Sequence, residues 1–194
     1  MIVLVTGGAR SGKSHFAEQY AERLGTDGIY IATAETRDEE MKQRVEHHMR
    51  RRKATSFIWR TLEVPLELAS ELEKIRIQSR SQKAKKRVIL VDCLTLWLSN
   101  QLLACSQMEE AEQVVDEALE YLAEVLVRMD SHVLLVTNEV GNGIVPEYPL
   151  GRLYRDLAGK MNQRLATICD QVFLVTAGIP VELKSMAFKW EDSF

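Results

Sequence analysis

Eight residues near the start of the chain, Gly7-Gly8-Ala9-Arg10-Ser11-Gly12-Lys13-Ser14, have the types and spacing that hold a nucleoside triphosphate. They fit the pattern of Gly, four free positions, then Gly-Lys-Ser. Small residues let successive backbone N–H groups curl around phosphate oxygens, and the start of a following helix adds a favourable dipole. In that arrangement Lys13 neutralises the β- and γ-phosphate oxygens and Ser14 ligates Mg²⁺. The pattern also needs a strand before it and a helix after it, and both are legible. Ile2-Val3-Leu4-Val5 is a short apolar run, and Ser14–Leu24 places Phe16, Ala17, Tyr20, Ala21 and Leu24 on one helical face. An ordinary glycine turn would not bring the Lys-Ser pair and this context together.

Two further groups could do chemistry beside that loop. Asp92 ends the apolar run Val88-Ile89-Leu90-Val91, where a carboxylate can complement the loop by holding Mg²⁺; capping the helix that begins at Leu94 is its other available role. His47-His48 is the second group. Neutral imidazole attacks phosphorus readily and the resulting phosphoramidate passes its group onward, so a histidine at a nucleotide site can carry a covalent nucleotidyl group. Neighbouring helical positions point about 100° apart, so only one of the pair can face the phosphorus. Arg50, Arg51 and Arg52 follow within a turn and could clamp a triphosphate. A His pair on a charged helix is otherwise simply solvated surface. Thr137-Asn138-Glu139, closing another strand, could hold substrate or make a turn, and Arg152, Arg155 and Asp156 could form an ion-pair face.

These residues need a scaffold, and the hydrophobic periodicity supplies one. Strands are expected at Ile29–Thr33, Phe57–Thr61, Val88–Asp92, Val133–Thr137, Val172–Thr176 and Val181–Leu183. Between them lie helical patterns: Asp38–Arg52 with acidic residues first and basic residues last, a helix starting at Pro65, a buried helix over Leu94–Leu103, the stripe Val115, Leu119, Leu122, Leu126 and Met129, and Leu150–Ile168. Gln78–Arg87 reads as a solvated loop. Buried strands alternating with amphipathic helices predict an α/β fold: a mostly parallel sheet with helices on both faces, the three-layer architecture of phosphate-loop NTPases. The loops after Thr6, Thr33, Asp92 and Thr137 should then meet at one edge, where open α/β sheets bind ligands.

Composition agrees with one soluble domain. The chain has 194 residues, 46% of them hydrophobic and 27% charged, with a formal net charge of −3. That balance argues against a general nucleic-acid binder. No segment is long and apolar enough for a membrane span or a signal sequence. Cys93, Cys105 and Cys169 are odd in number and lie among apolar neighbours, which suits buried reduced thiols in a cytoplasmic compartment better than a disulfide framework or zinc site. The domain is expected over residues 1–184, with 185–194 as a C-terminal tail.

Several stretches together resemble the bifunctional adenosylcobinamide kinase/adenosylcobinamide-phosphate guanylyltransferases of cobalamin synthesis. They are Leu4–Ser14, Tyr30–Thr33, the His47-His48 pair after Asp38–Met41, Trp59–Thr61, Val91–Thr95, Val136–Gly141, Gly143–Glu147, Arg155–Gly159 and Asn162–Leu165. The phosphate loop is shared by many families; the His pair combined with Thr-Asn-Glu-Val-Gly and Gly-Ile-Val-Pro-Glu is far more specific. The resemblance implies a RecA-like fold and two reactions, phosphorylation of adenosylcobinamide by ATP or GTP, then transfer of GMP from GTP through a guanylyl-histidine to give adenosylcobinamide-GDP. It places GMP on His48, with His47 as the less favoured site, assigns Lys13, Ser14 and Asp92 to phosphates and Mg²⁺, and lines the guanine nucleotide with Ala32, Thr33, Ala34, Arg50, Arg51 and Glu63. It also implies a homo-oligomer, in the family a trimer. Asn142, where the family often has Met, and the longer Gln78–Arg87 stretch depart from the pattern without touching the loop or the His pair. Two other readings fit a phosphate loop: a small-molecule kinase without guanylyl transfer, and a nucleotide-gated regulatory module.

Overall fold

The computed structural model describes residues 1–34, 56–81, 87–105, 107 and 110–189. In chain order these form β1 (Ile2–Thr6), α1 (Lys13–Leu24), β2 (Asp27–Ala32), β3 (Ile58–Glu63), α2 (Leu68–Ser81), β4 (Val88–Asp92), α3 (Leu94–Ala104), α4 (Ala111–Val127), β5 (Val133–Val136), α5 (Pro149–Ile168), β6 (Gln171–Thr176) and β7 (Ile179–Glu182). The seven strands form one sheet in the order β3-β2-β4-β5-β1-β6-β7. All neighbours pair in parallel except β6 with β7.

The central strands are continuous apolar runs because both faces are covered. Strand alternation divides them between two cores. Ile2, Leu4, Ile29, Ile31, Ile89, Val91, Val133 and Leu135 face the core shared with α2–α5. Val3, Val5, Val88, Leu90, Leu134 and Val136 face Ala17 and Ala21 of α1. The small alanines let α1 lie close to the sheet beneath the phosphate loop. At the margins β3 is largely exposed, which explains its weak hydrophobic signal, and β7 carries Pro180 on an edge strand where a missing N–H is tolerated.

The structure corrects two expectations. Pro65 does not open a helix: its carbonyl accepts from Asn100 Nδ2, and the Leu66 carbonyl accepts from Trp97 Nε1 at 2.8 Å and Gln101 Nε2 at 2.9 Å. With those carbonyls turned toward α3, α2 begins at Leu68. Its far end runs through Ser81, so Gln78–Ser81 complete a helix rather than a loop. The expected helix Asp38–Arg52 lies outside the described residues.

At the carboxyl edge the four predicted loops do meet. Thr33 N–H donates to the Asp92 carbonyl, Thr137 N–H to Val5 and Glu139 N–H to Gly7. Strand adjacency thus brings the ends of β2, β4, β5 and β1 side by side, although they are up to 131 positions apart in Thr6 and Thr137.

Candidate active site at the carboxyl edge of the sheet

The phosphate loop turns between β1 and α1 because three positions accept unusual backbone. Gly12 has φ +97°, and Arg10 is a non-glycine residue at φ +55°. A side chain on Gly7 would put its Cβ 2.4 Å from the Val175 carbonyl oxygen. That approach is open only to glycine. Gly8, Ala9 and Arg10 are exposed on the outer limb of the loop, while Ser14 is half-buried at the first turn of α1. The Ser11 Oγ is buried and has no hydrogen-bond partner among the described residues. An anion cradled by the loop would supply one.

Lys13 is 8% exposed and reaches back to donate from Nζ to the Gly8 carbonyl at 3.0 Å. Burial lowers its pKa, while Cys93 and then Asp92 oppose that shift. The ammonium is therefore pre-placed across the mouth of the loop, where bound phosphate oxygens would compensate its lost hydration. Asp92, half-buried, accepts from Tyr30 OH through Oδ2 at 3.0 Å. The peptide bond that follows it is cis.

A clip behind Asp92 fixes its position. Thr33, fully buried, donates from Oγ1 to the Cys93 carbonyl at 2.6 Å and accepts from Cys93 N–H at 2.9 Å. Its own carbonyl accepts from Asn100 Nδ2 at 2.8 Å. In this structure the Thr33 hydroxyl is thus committed to backbone. Ala32 and Ala34 flank it half-buried, and Glu63 ends β3 in register with Ala32, exposed at the far side of the edge. The Cys93 thiol is pushed up to about 11 by burial and then by the Asp92 charge.

On the opposite side β5 is stapled in turn. Asn138 Nδ2 donates to Thr95 Oγ1 at 2.6 Å. Asn162 on α5 accepts from Thr137 Oγ1 at 2.7 Å and donates to the Asn138 carbonyl at 3.1 Å. Asn138 was legible as a candidate in the sequence, whereas Asn162 was marked only as part of the resembling stretch Asn162–Leu165, with nothing to show that it staples β5. The sequence offered Arg152, Arg155 and Asp156 as an ion-pair face. Instead the two arginines hold the loop over residues 141–147, Arg152 Nη1 through the Pro146 and Glu147 carbonyls and Arg155 Nη2 through the Gly141 carbonyl at 2.6 Å. The reason is geometric: the loop folds back over the first turns of α5 and brings its carbonyls within reach of both guanidiniums.

The structure therefore brings the Gly7–Ser14 loop, Lys13, Asp92, Thr33 and the Asn138-Glu139 tip to one edge. His47, His48, Arg50 and Arg51 lie outside the described residues. Of the three cysteines, all free, Cys93 and Cys169 are buried as expected, whereas Cys105 is half-buried at the end of α3. Among the described residues no group of His, Cys, Asp and Glu is arranged to hold a metal by itself, and no helix is long and apolar enough to cross a membrane.

Comparison with known proteins agrees with this geometry. A solved ATPase domain superposes with a TM-score of 0.52 over 89% of this chain and 68% of that one. At 12% identity the likeness concerns the fold alone, which is RecA-like. The family model for cobinamide kinase / cobinamide phosphate guanyltransferase matches residues 3–183. The bifunctional adenosylcobalamin biosynthesis protein CobP of Pseudomonas aeruginosa is 44% identical over 181 residues, covering 93% of this chain and 96% of that protein. The bifunctional adenosylcobalamin biosynthesis protein CobU of Salmonella typhimurium is 40% identical over 195 residues, covering 95% and 100%. A phosphate loop at the head of β1, a carboxylate at the head of β4 and likeness along nearly the whole chain lead to one conclusion: the chain belongs to the cobinamide kinase / cobinamide phosphate guanyltransferase family.

Proposed function

We propose that this protein phosphorylates adenosylcobinamide with ATP or GTP and then transfers GMP from GTP to the product, giving adenosylcobinamide-GDP. The observation that carries the reading is the meeting of Lys13, the phosphate loop and Asp92 at one edge of the sheet, in a chain of this family.

In the first reaction the substrate hydroxyl oxygen attacks the γ-phosphorus, the bond from that phosphorus to the β-bridging oxygen breaks, and the nucleoside diphosphate leaves. With phosphates on the loop, its N–H groups and Lys13 would stabilise charge on the leaving group. Lys13 being held on the Gly8 carbonyl keeps that charge from folding away to solvent. In the second reaction an imidazole nitrogen, assigned to His48 by the resemblance, bonds to the α-phosphorus of GTP as pyrophosphate leaves. The phosphate of adenosylcobinamide phosphate then attacks that phosphorus and frees the histidine. Arg50 and Arg51 are assigned to the triphosphate, and Ala32, Thr33, Ala34 and Glu63 to the guanine nucleotide.

Ser14 and Asp92 offer hydroxyl and carboxylate oxygens, the donor set that Mg²⁺ takes, and are the residues that would hold it. Bound there, the ion would neutralise charge developing on transfer. We extend the reading to a homo-oligomer, with a trimer expected from the resemblance; sedimentation would measure it.

Intact mass after incubation with GTP and Mg²⁺, followed by a chase with adenosylcobinamide phosphate, tests the whole reading. A GMP adduct that maps to His48 and disappears on the chase is the expected result. Unchanged guanylyl transfer in both His48→Ala and His47→Ala would remove the covalent mechanism, and adduct-free protein that still phosphorylates cobinamide would leave a kinase alone.

A further inference from the structure

The outer side of the phosphate loop carries a cavity of about 270 Å³ to which neither half-reaction assigns a role. One wall is α1, through His15, Phe16, Gln19 and Arg23; the other is the β6–β7 hairpin, through Gly178 and Pro180. We propose that this cavity seats the nucleobase of the phosphoryl donor in the kinase reaction, apart from the guanine site at the ends of β2 and β3. The proposal rests on the functional reading above.

Continuity with the loop is the first argument. Gly178 N–H donates to the Ser11 carbonyl at 2.8 Å, and the Gly178 Cα lies 3.2 Å from where a Cβ on Gly12 would stand. The hairpin is thus fastened to the loop, and Gly12 itself forms part of the cavity wall. A nucleotide with its phosphates on Gly7–Ser14 has this cavity immediately beside it. Glu63, at the end of β3, stands on the other side of the loop. Between β1 and β3 lie β5, β4 and β2, a separation of roughly 19 Å at ~4.8 Å per strand spacing.

Shape and chemistry make the second argument. The Phe16 and Tyr20 rings are stacked, with centroids 5.6 Å apart and planes 19° from parallel, and Phe173 backs both at 4.9 and 5.5 Å. Tyr20 is anchored by its OH on Gln171 Oε1 at 2.6 Å. This aromatic wall is braced before any ligand arrives, and flat heterocycles stack on such walls without regard to their edge pattern. The cavity is slightly below the ~300–1,000 Å³ usual for ligand clefts, a fit for a base with its ribose and too small for a corrin ring. His15, Gln19 and Arg23 rim it with donors, and among the described residues its lining holds no carboxylate. Guanine presents two adjacent donors, at N1 and N2, that a carboxylate reads; a site without one accepts adenine and guanine alike. Glu63 supplies such a carboxylate at the other site. One loop would then serve two nucleotides whose bases lie on opposite sides of it.

Photolabelling with 8-azido-ATP, competed by ATP and mapped by peptide, tests the placement. Label on residues 15–23 or 177–183 is expected; competed label confined to residues 27–34 or 57–64, or no ATP-competed label, would overturn the proposal. Two exposed-side variants supply the kinetic arm: Gln19→Trp, which fills the cavity, and Arg23→Ala, which opens its rim. Loss of stacking should raise the KM for ATP in cobinamide phosphorylation by about tenfold in Gln19→Trp. Capture of GMP from GTP should stay within about twofold in both variants. Equal losses in the two reactions, or an unchanged KM for ATP in both variants, would refute it. Wild-type protein that labels on α1 yet never phosphorylates cobinamide would sink the functional reading while supporting the base site.

Discussion

Thr33 and Cys93, 60 positions apart, grip each other twice: Thr33 Oγ1 donates to the Cys93 carbonyl and accepts from the Cys93 N–H. The pair joins the end of β2 to the turn between β4 and α3, directly behind Asp92. Replacing Thr33 with Val keeps the shape and removes both bonds, leaving the buried Cys93 N–H without its acceptor while the Cys93 carbonyl keeps the Trp97 N–H at 3.2 Å. Urea unfolding should show a loss of about 1–3 kcal/mol. Thr33→Ser should recover most of it, and an unchanged midpoint in Thr33→Val would contradict the clip.

Lys13 should matter to the nucleotide and not to the fold. Burial lowers its pKa, which means the folded protein bears a cost for keeping the ammonium charged. Lys13→Met removes that cost at similar volume. Thermal unfolding without nucleotide should therefore stay level or rise, while kcat of phosphorylation falls by ~10²–10³-fold. A variant that unfolded early would show that the lysine is structural.

The three thiols should separate by accessibility. Cys93 and Cys169 are buried, and burial pushes Cys169 up to about 12. Cys105 is half-buried at the last turn of α3, its Sγ donating to the Gln101 carbonyl at 3.3 Å. Iodoacetamide on native protein, read by intact mass and peptide mapping, should modify Cys105 first and reach the other two only after unfolding. Early label on Cys169 would mean that the α5–β6 junction opens in the native state.

Glu182 should make the fold sensitive to acid. Its carboxylate accepts from the N–H groups of Val172, Ser185 and Lys184, and is held down to about 2 from 4.5. Because the folded value is the lower one, the folded state binds fewer protons between the two. The stabilisation is complete above about pH 4.5 and drains away as pH falls through about 2. Glu182→Gln should lower Tm at pH 7 by about 2–4 °C. The gap between wild type and variant should close toward pH 2; a constant gap would show that the hydrogen bonds survive protonation.

Much of this molecule is readable before folding. The Gly7–Ser14 pattern, the apolar runs at Ile2–Val5 and Val88–Val91 and the stripe on α4 are local facts, since spacing along one segment decides whether it turns, extends or coils. The differences came where tertiary contacts, and not local spacing, chose the partner. Leu66 looks helical, yet its carbonyl is taken by Trp97 and Gln101, which no nearby residue announces. Arg152 and Arg155 look like ion-pair donors until the loop before them folds onto α5. His47 and His48 carry the most distinctive chemistry in the sequence and lie outside the described residues, so their role rests on residue type and resemblance.

The sequence by itself determined the kinds of element, their order and the identity of the phosphate loop, because hydrophobic period and glycine placement act over a few residues. Only the tertiary structure decided which loop ends become neighbours. Strand order is set by which faces can be buried together. That choice put Asp92 near Lys13, joined Thr33 to Cys93 and fastened Gly178 to Ser11, pairings made across long stretches of chain that local spacing cannot encode.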